Sequence, residues 1–208
     1  MSVAHFVIQF LVGLANAMFL FLIASGLSLI FGVSRILNFA HGSFYMLSAY
    51  LAYTVIAWLS PSPGAFWVAL VVAPAVMAAL GGLVEILLLR RIYQAPELYQ
   101  LVLTFGLALI AGDAVRYFWG TTNKTVSSPP LLAGSISVLG QPLPLYYLLV
   151  IAFGPLAALG LWWILYRTRW GILVRAATED REMVAALGMD HSWLFTTVFV
   201  FGTWLAAL

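Results

Sequence analysis

The sequence predicts an all-α, polytopic transmembrane helical bundle with about five full spans and a shorter sixth. The chain of 208 residues is 64% hydrophobic and only 8% charged. Apolar runs of about 20 residues, the length that a helix needs to cross a bilayer, recur along it. Several of its eight Trp residues lie near the ends of these runs, where interfacial aromatic side chains are enriched. We therefore expect one transmembrane domain, 1–208, in contact with a lipid bilayer.

Polar turns and helix breakers set the boundaries of the spans. A Ser-Pro-Ser-Pro-Gly segment at 60–64 separates two of them, and an Arg pair at 90–91 ends another. The predicted spans are 5–32, 36–59, 65–89, 98–115, 145–166 and 192–208. The sixth has 17 residues, or about 25 Å of helix, against a hydrocarbon core of about 30 Å. This shortfall predicts a chain that is incomplete at its C-terminus.

The distribution of Lys and Arg predicts the orientation. Two of the nine basic residues, Arg116 and Lys124, fall on one side of the alternating spans, and seven fall on the other. The basic side is expected to be cytoplasmic, which places the N-terminus and the 116–144 loop on the periplasmic side. That Pro-rich loop is either a folded lid or docking surface, or a plain extended linker.

Two stretches are similar to each other and suggest an inverted repeat. Gly26–Gly32 reads G-L-S-L-I-F-G, and Gly106–Gly112 reads G-L-A-L-I-A-G. They lie on the first and fourth spans, which cross the bilayer in opposite directions. Inverted repeats are common in transporters. Chance matches among Gly, Leu and Ile would produce the same similarity.

The 167–191 segment is the most charged part of the chain, with four of the nine basic and four of the seven acidic residues. It is expected to contain a short helix with Thr178 as the N-cap and Gly188 in the left-handed C′ position. Apolar residues at 183–187 give this helix a docking face. The segment is therefore either a coupling loop that receives motion from a cytoplasmic motor, or an ordinary amphipathic interfacial helix.

The sequence motifs exclude several classes of protein. No H-E-x-x-H, G-x-S-x-G or Walker A pattern occurs, there is no Cys, and no basic stripe is available for nucleic acid. We therefore expect no catalytic residue, no metal and no cofactor. Energy for transport would come from an ion gradient or from a separate ATPase. Because Glu85 and Asp113 lie near Arg90 and Arg116 at span ends, they are interpreted as interfacial ion-pair partners, which argues against a proton-driven carrier.

Polar residues at the start of the second span are candidates for the translocation pathway. Asn38, His41 and Gly42 interrupt an apolar run, at a cost in lipid of the order of kilocalories for each uncompensated polar group. They line a pathway or inner gate, or they form a polar helix start near the headgroups. Thr104 and Gly106 on the fourth span are further candidates, although a Thr bonded to its own helix is the commoner case.

Two segments carry a resemblance to a known family. Residues 26–53, G-L-S-L-I-F-G-V-S-R-I-L-N-F-A-H-G-S-F-Y-M-L-S-A-Y-L-A-Y, and 171–190, G-I-L-V-R-A-A-T-E-D-R-E-M-V-A-A-L-G-M-D, occur in the order found in that family. The chain resembles the LivH-type permease subunits of branched-chain (hydrophobic) amino acid ABC importers. The family continues through further helices beyond the point that corresponds to Leu208.

The resemblance implies a non-enzymatic subunit in a bacterial inner membrane. It implies four kinds of partner: a second homologous permease, two cytoplasmic ATPases, a periplasmic substrate-binding protein and the lipid bilayer. The residues that it assigns to the ATPase-docking loop are Gly171, Arg175, Ala176, Asp180, Ala185 and Gly188. Related systems carry urea or short amides, so the substrate stays open at this point. An ion-driven carrier and a membrane scaffold are the alternatives from other classes.

Overall fold

A computed structural model describes residues 3–126, 129–180, 183–184, 188 and 190–208. Within these ranges there are seven α-helices with described bounds, two short 3-10 helices (Leu89–Ile92 and Pro130–Leu132), a helical pair of residues at 183–184 and one β-hairpin. The helices are α1 (Val3–Ser34), α2 (His41–Leu59), α3 (Ala65–Leu87), α4 (Glu97–Trp119), α5 (Leu145–Arg167), α6 (Arg169–Glu179) and α7 (His191–Ala207). The first five are long and apolar enough to cross a membrane. This confirms the all-α polytopic class, and the chain is a multi-pass membrane protein.

The second span begins later than predicted, at His41 rather than at residue 36. Local hydrogen bonds explain the difference. The Ser34 hydroxyl accepts from the Ile36 amide at 3.2 Å, and the Asn38 carboxamide oxygen accepts from the Ala40 amide at 3.1 Å. Such side chain to backbone bonds compete with helical pairing. Residues 35–40 are therefore an irregular connection, and Arg35 has a positive φ of 54°.

The short helix α7 occupies the centre of the bundle. It packs between α1 and α3 and also contacts α2. Small residues permit this approach: a Cβ added at Gly26 of α1 would collide with the carbonyl group of Gly202, and one added at Gly81 of α3 would collide with Thr203. Ser48 of α2 donates to the Ala207 carbonyl at 2.6 Å. The shortest span predicted from the sequence is thus the helix around which three others pack.

The predicted 116–144 loop begins later than expected, because α4 continues through Trp119, and it contains folded structure between residues 130 and 144. β1 (Ser135–Val138) pairs antiparallel with β2 (Gln141–Pro144). Leu139 and Gly140 connect the strands with positive φ values of 51° and 80°, the signature of a type I′ turn. Leu143 is fully buried and anchors the hairpin. A role of this segment as a lid or as a docking surface stays a prediction.

The two similar stretches lie on α1 and α4 in different surroundings. Gly26 contacts the backbone of α7, whereas a Cβ at Gly106 or Gly112 would meet no described atom within 4 Å. The inverted repeat therefore stays a prediction.

Candidate functional site

The irregular 35–40 connection and the first residue of α2 bury polar side chains inside the bundle. Asn38 is 4% exposed and His41 is 2% exposed. The His41 ring nitrogen Nε2 lies 3.1 Å from the Ile23 carbonyl oxygen of α1. A carbonyl oxygen can only accept, so this nitrogen carries the proton and Nδ1 is left as an acceptor. Among the described residues, neither Nδ1 nor the Asn38 nitrogen Nδ2 has a hydrogen-bond partner.

One unsatisfied donor and one unsatisfied acceptor thus lie three positions apart in a buried segment. Each such group carries a penalty of about 1–3 kcal/mol unless water or a solute pairs with it. Irregular backbone at membrane depth is tolerated where it is packed in protein or lines an aqueous cavity. The arrangement is suited to lining a hydrated pathway, and that role for these two residues stays a prediction.

Thr104 on α4 packs against the same connection. It is fully buried, and its Oγ1 lies 3.0 Å from the Gln100 carbonyl oxygen of its own helix and 3.4 Å from that of Leu37. Back-bonding therefore accounts for most of its hydrogen-bonding capacity. Gly42 is exposed, and neither Gly42 nor Gly106 would bring a Cβ within 4 Å of another described residue. The structure brings Asn38, His41 and Thr104 to one connection and leaves the two glycines outside it.

The charged segment after α5 begins with a helix that was not predicted, α6, and most of the helix predicted after Thr178 lies outside the described residues. Thr178 is not an N-cap, and that prediction is wrong. The N-cap of α6 is Thr168, whose hydroxyl accepts from the Gly171 amide at 3.0 Å. Thr178 lies in the last turn and donates to the Val174 carbonyl at 2.8 Å. The apolar positions 171, 174 and 177 are buried, and their spacing places the helix over 169–179.

Gly171 permits the tight turn between α5 and α6. A Cβ at this position would collide with the carbonyl groups of Ile164 and Leu165. The turn lays the inner face of α6 onto α1 and α7, where Val174 and Ala177 pack in a core cluster with Leu29 and Leu194.

The opposite face of α6 is exposed. Arg175 lies over the Tyr166 ring, with the guanidinium carbon 4.5 Å from the ring centroid, and Ala176 is exposed beside it. The alkyl and planar parts of the Arg175 side chain are thus ordered by α5, while the helix keeps a free outer surface. Four exposed residues of α6, which we call the outer face, are Ile172, Arg175, Ala176 and Glu179.

Asp180 begins the connection from α6 to α7. Its amide donates to the Ala176 carbonyl at 2.9 Å and ends α6, and its carboxylate accepts from the Met183 amide at 2.9 Å. It therefore takes the capping role that the sequence had suggested for Thr178. Gly188 has a φ of +83°, the left-handed conformation predicted for it. Ala185 lies outside the described residues.

Two long-range contacts of this region were not predicted from the sequence. Arg35 donates to the Thr178 carbonyl at 3.5 Å, which places a cation at the C-terminal end of α6, where the helix dipole favours it. Glu85 pairs with Arg90 as predicted, with an N–O distance of 3.3 Å, but it is fully buried rather than interfacial. The buried carboxylate is compensated by Thr196 of α7 as well as by Arg90. The Thr196 hydroxyl donates to Glu85 at 2.6 Å and accepts from Arg90 at 2.6 Å. A partner about a hundred positions away leaves no sequence signal.

Gly171→Ala is expected to lower stability because its methyl group meets two backbone carbonyls that cannot move without separating α6 from α5. Overpacking of this kind costs about 1–3 kcal/mol. Thermal unfolding in detergent measures the change. Gly160→Ala on α5 is the matched control, since no described atom lies within 4 Å of its Cβ position and Ala favours a helix by about 1 kcal/mol. Equal unfolding midpoints for the two variants would contradict the close approach at Gly171.

Comparison with known proteins places the chain in a family. Residues 9–208 match the family model described as branched-chain amino acid transport system / permease component. No solved structure matches.

The curated relatives carry related names. The chain is 27% identical to the high-affinity branched-chain amino acid transport system permease protein BraD of Pseudomonas aeruginosa, over all of this chain and 70% of the relative. It is 27% identical to the LivH permease protein of the same kind of system in Escherichia coli K12, over 90% of this chain and 63% of the relative. The family match covers nearly the whole sequence and confirms the resemblance carried by residues 26–53 and 171–190. The chain belongs to the branched-chain amino acid transport system permease component family.

Proposed function

We propose that the chain is a permease subunit of an ATP-binding-cassette importer that moves branched-chain amino acids across the bacterial inner membrane. It would act with a second, homologous permease subunit, two cytoplasmic ATPases that hydrolyse ATP, and a periplasmic substrate-binding protein. The names of the relatives support the substrate class, since each is a branched-chain amino acid transport permease.

The observation that carries the mechanism is the two-sided environment of α6. Its inner face is buried against α1 and α7, and its outer face is exposed for a partner. Arg35 links the end of α6 to the connection that contains Asn38 and leads into α2 at His41. A displacement of α6 by a partner would therefore act directly on α1, on α7 and on the buried polar connection.

Firm docking is needed for this role. Shifting a two-state equilibrium from 1:99 to 99:1 requires about 5.5 kcal/mol of differential binding. ATP-driven closure of the ATPases is a suitable source. The packed inner face of α6 provides the rigid contact through which such energy could reach the membrane helices, because close-packed interiors transmit strain.

The position of α6 supports an orientation of the bundle in the membrane. Arg35 contacts the end of α6, and Arg90 donates to the Ser192 carbonyl at the start of α7, so these cations share one end of the bundle with it. We propose that this end is cytoplasmic, in keeping with the positive-inside rule. The N-terminus and the hairpin would then be periplasmic.

Docking through the outer face of α6 is tested by co-purification with co-expressed ATPases of the proposed importer. Ala176→Trp and Arg175→Glu alter this face without entering the core, and we expect ATPase recovery to fall at least about tenfold. Gly188→Trp is a poorer probe because a Trp at φ +83° would be strained. Arg116→Glu is the matched control, with the same charge reversal at an exposed site on the other end of the bundle. Undiminished recovery in both α6 variants would overturn the proposed docking face.

A further inference from the structure

Two adjoining cavities lie where the 35–40 connection, the start of α4 and the end of α6 meet. Their volumes are about 380 and 590 Å³. Both are lined by Arg35, Glu97 and Gln100, so they share one wall. Small-molecule sites usually have volumes of roughly 300–1,000 Å³.

The first cavity is charged. Glu179 and Asp180 add their carboxylates to that of Glu97, so the described lining residues supply three carboxylates and one guanidinium, that of Arg35. None of these four groups has an ion-pair partner within 4 Å in the described part of the chain. The described part of the wall thus offers one group that can bind an anion and several that can bind a cation.

The second cavity is predominantly apolar. Phe31, Leu37 and Leu101 line it together with the shared wall. Phe31 and Leu37 are 42% and 52% exposed, so their side chains are available to a ligand.

Gln100 lies at the junction of the cavities and is held in place. It is 8% exposed, and its Nε2 donates to the carbonyl oxygens of Ala95 at 3.0 Å and Ile92 at 3.2 Å. Its Oε1 accepts from no group in the ranges that the structure describes. A fixed hydrogen-bond acceptor therefore lies between the first, charged cavity and the second, apolar cavity, which we call the charged and apolar lobes.

We propose that this double cavity is a binding site for a free, zwitterionic amino acid with an aliphatic side chain. Arg35 would bind the carboxylate, Glu97 and the Gln100 oxygen would bind the ammonium group, and the apolar lobe would take the side chain. An organic anion is disfavoured by three carboxylates, and a neutral amide would leave Arg35 and Glu97 without charged partners. The inference rests on the proposed function, because it takes the site to hold the transported class on the side of release.

The site touches the parts that the proposed mechanism moves. Arg35 belongs to the α1–α2 connection and Glu179 and Asp180 to the end of α6, so an occupant would bridge them. An amino acid accumulated on this side would hold the two elements together and slow the next cycle. The site therefore gives the importer a means of inhibition by its own product.

Binding of radiolabelled leucine to the purified chain in lipid nanodiscs tests the site directly. Glu97→Gln removes the charge and keeps the shape of an exposed side chain, and Glu179→Gln is a second, independent variant. We expect each to weaken leucine binding at least about tenfold, as for loss of one charge-assisted hydrogen bond. Asp113→Asn, at the other end of α4, is the matched control and is expected to bind like the unaltered chain. Isoamylamine and 4-methylpentanoate, which each keep only one charge of leucine, are expected to bind at least about tenfold more weakly.

Several results would overturn the proposal. Leucine binding that is unchanged in both Glu variants excludes this location, and tighter binding of isoamylamine than of leucine makes the ligand an organic cation. Loss of ATPase co-purification in Glu97→Gln, with leucine binding unchanged, makes the cavity a protein-docking pocket. Uptake by the assembled transporter is measured separately: absent uptake with Glu97-dependent leucine binding would count against the proposed transport and support the site.

Discussion

Gly26→Leu is expected to destabilise the bundle by about 3 kcal/mol, the upper range of overpacking effects. Gly26 crosses α7 at Gly202, and its Cβ position collides with a backbone carbonyl rather than with a flexible side chain. The new side chain must therefore separate α1 from α7. Because α7 also packs on α3, the separation would loosen the centre of the molecule. Thermal unfolding in detergent, followed by size-exclusion chromatography, measures the effect.

Gly106→Leu provides the matched control. Gly106 holds the corresponding position in the similar stretch on α4, and its Cβ position has no described atom within 4 Å. The same substitution there is expected to leave the unfolding midpoint within a few degrees of the unaltered chain. Equal losses at both positions would show that Gly26 is not at a tight helix crossing.

Arg90→Met is expected to cost about 3 kcal/mol, because it leaves the fully buried Glu85 carboxylate without its cation. Removal of one partner of a buried pair costs about 3–5 kcal/mol. The lower end applies here, since the Arg90 side chain is 36% exposed and Glu85 keeps hydrogen bonds from Tyr93 at 2.8 Å and Thr196 at 2.6 Å. Met retains most of the volume of the Arg stem. The free energy of unfolding in mixed micelles is the quantity to compare.

The second ion pair of the described chain is its control. Asp113 and Arg116 lie at the same N–O distance of 3.3 Å, with side chains that are 77% and 72% exposed. Exposed pairs contribute about 0–1 kcal/mol, so Arg116→Met is expected to change stability very little. An equal loss of unfolding free energy in Arg116→Met would show that burial of Glu85 does not determine the cost of removing its cation.

The transmembrane helices could be predicted because their signal is local. Length and hydropathy located all five long spans, and Gly/Pro breakers set the start of α3 at Ala65 as predicted. The start of α2 was missed because Ser34 and Asn38 bond to nearby amides, which ends one helix and delays the next. A hydropathy profile does not detect such local hydrogen bonds.

The candidate site was predicted only in part. The resemblance located the segment of α6, but Thr178 resembled an N-cap because acidic residues follow it, whereas tertiary packing of Val174 and Ala177 extends the helix through it. Long-range hydrogen bonds could not be predicted from the sequence. The contact of Thr196 with Glu85 and that of Arg35 with Thr178 depend on how distant segments pack. The sequence identifies polar residues that need partners, and the fold decides which partners they have.

Site-specific cross-linking tests the central claim most directly. The chain has no cysteine, so a single cysteine at position 176 or 113 is a unique attachment point without further substitution. With the ATPases of the proposed importer co-expressed in membranes, we predict a cross-linked product with an ATPase from Ala176→Cys and none from Asp113→Cys. Cross-linking from position 113 alone, or from neither position while the ATPases co-purify, would contradict the account in which α6 receives motion from the ATPases.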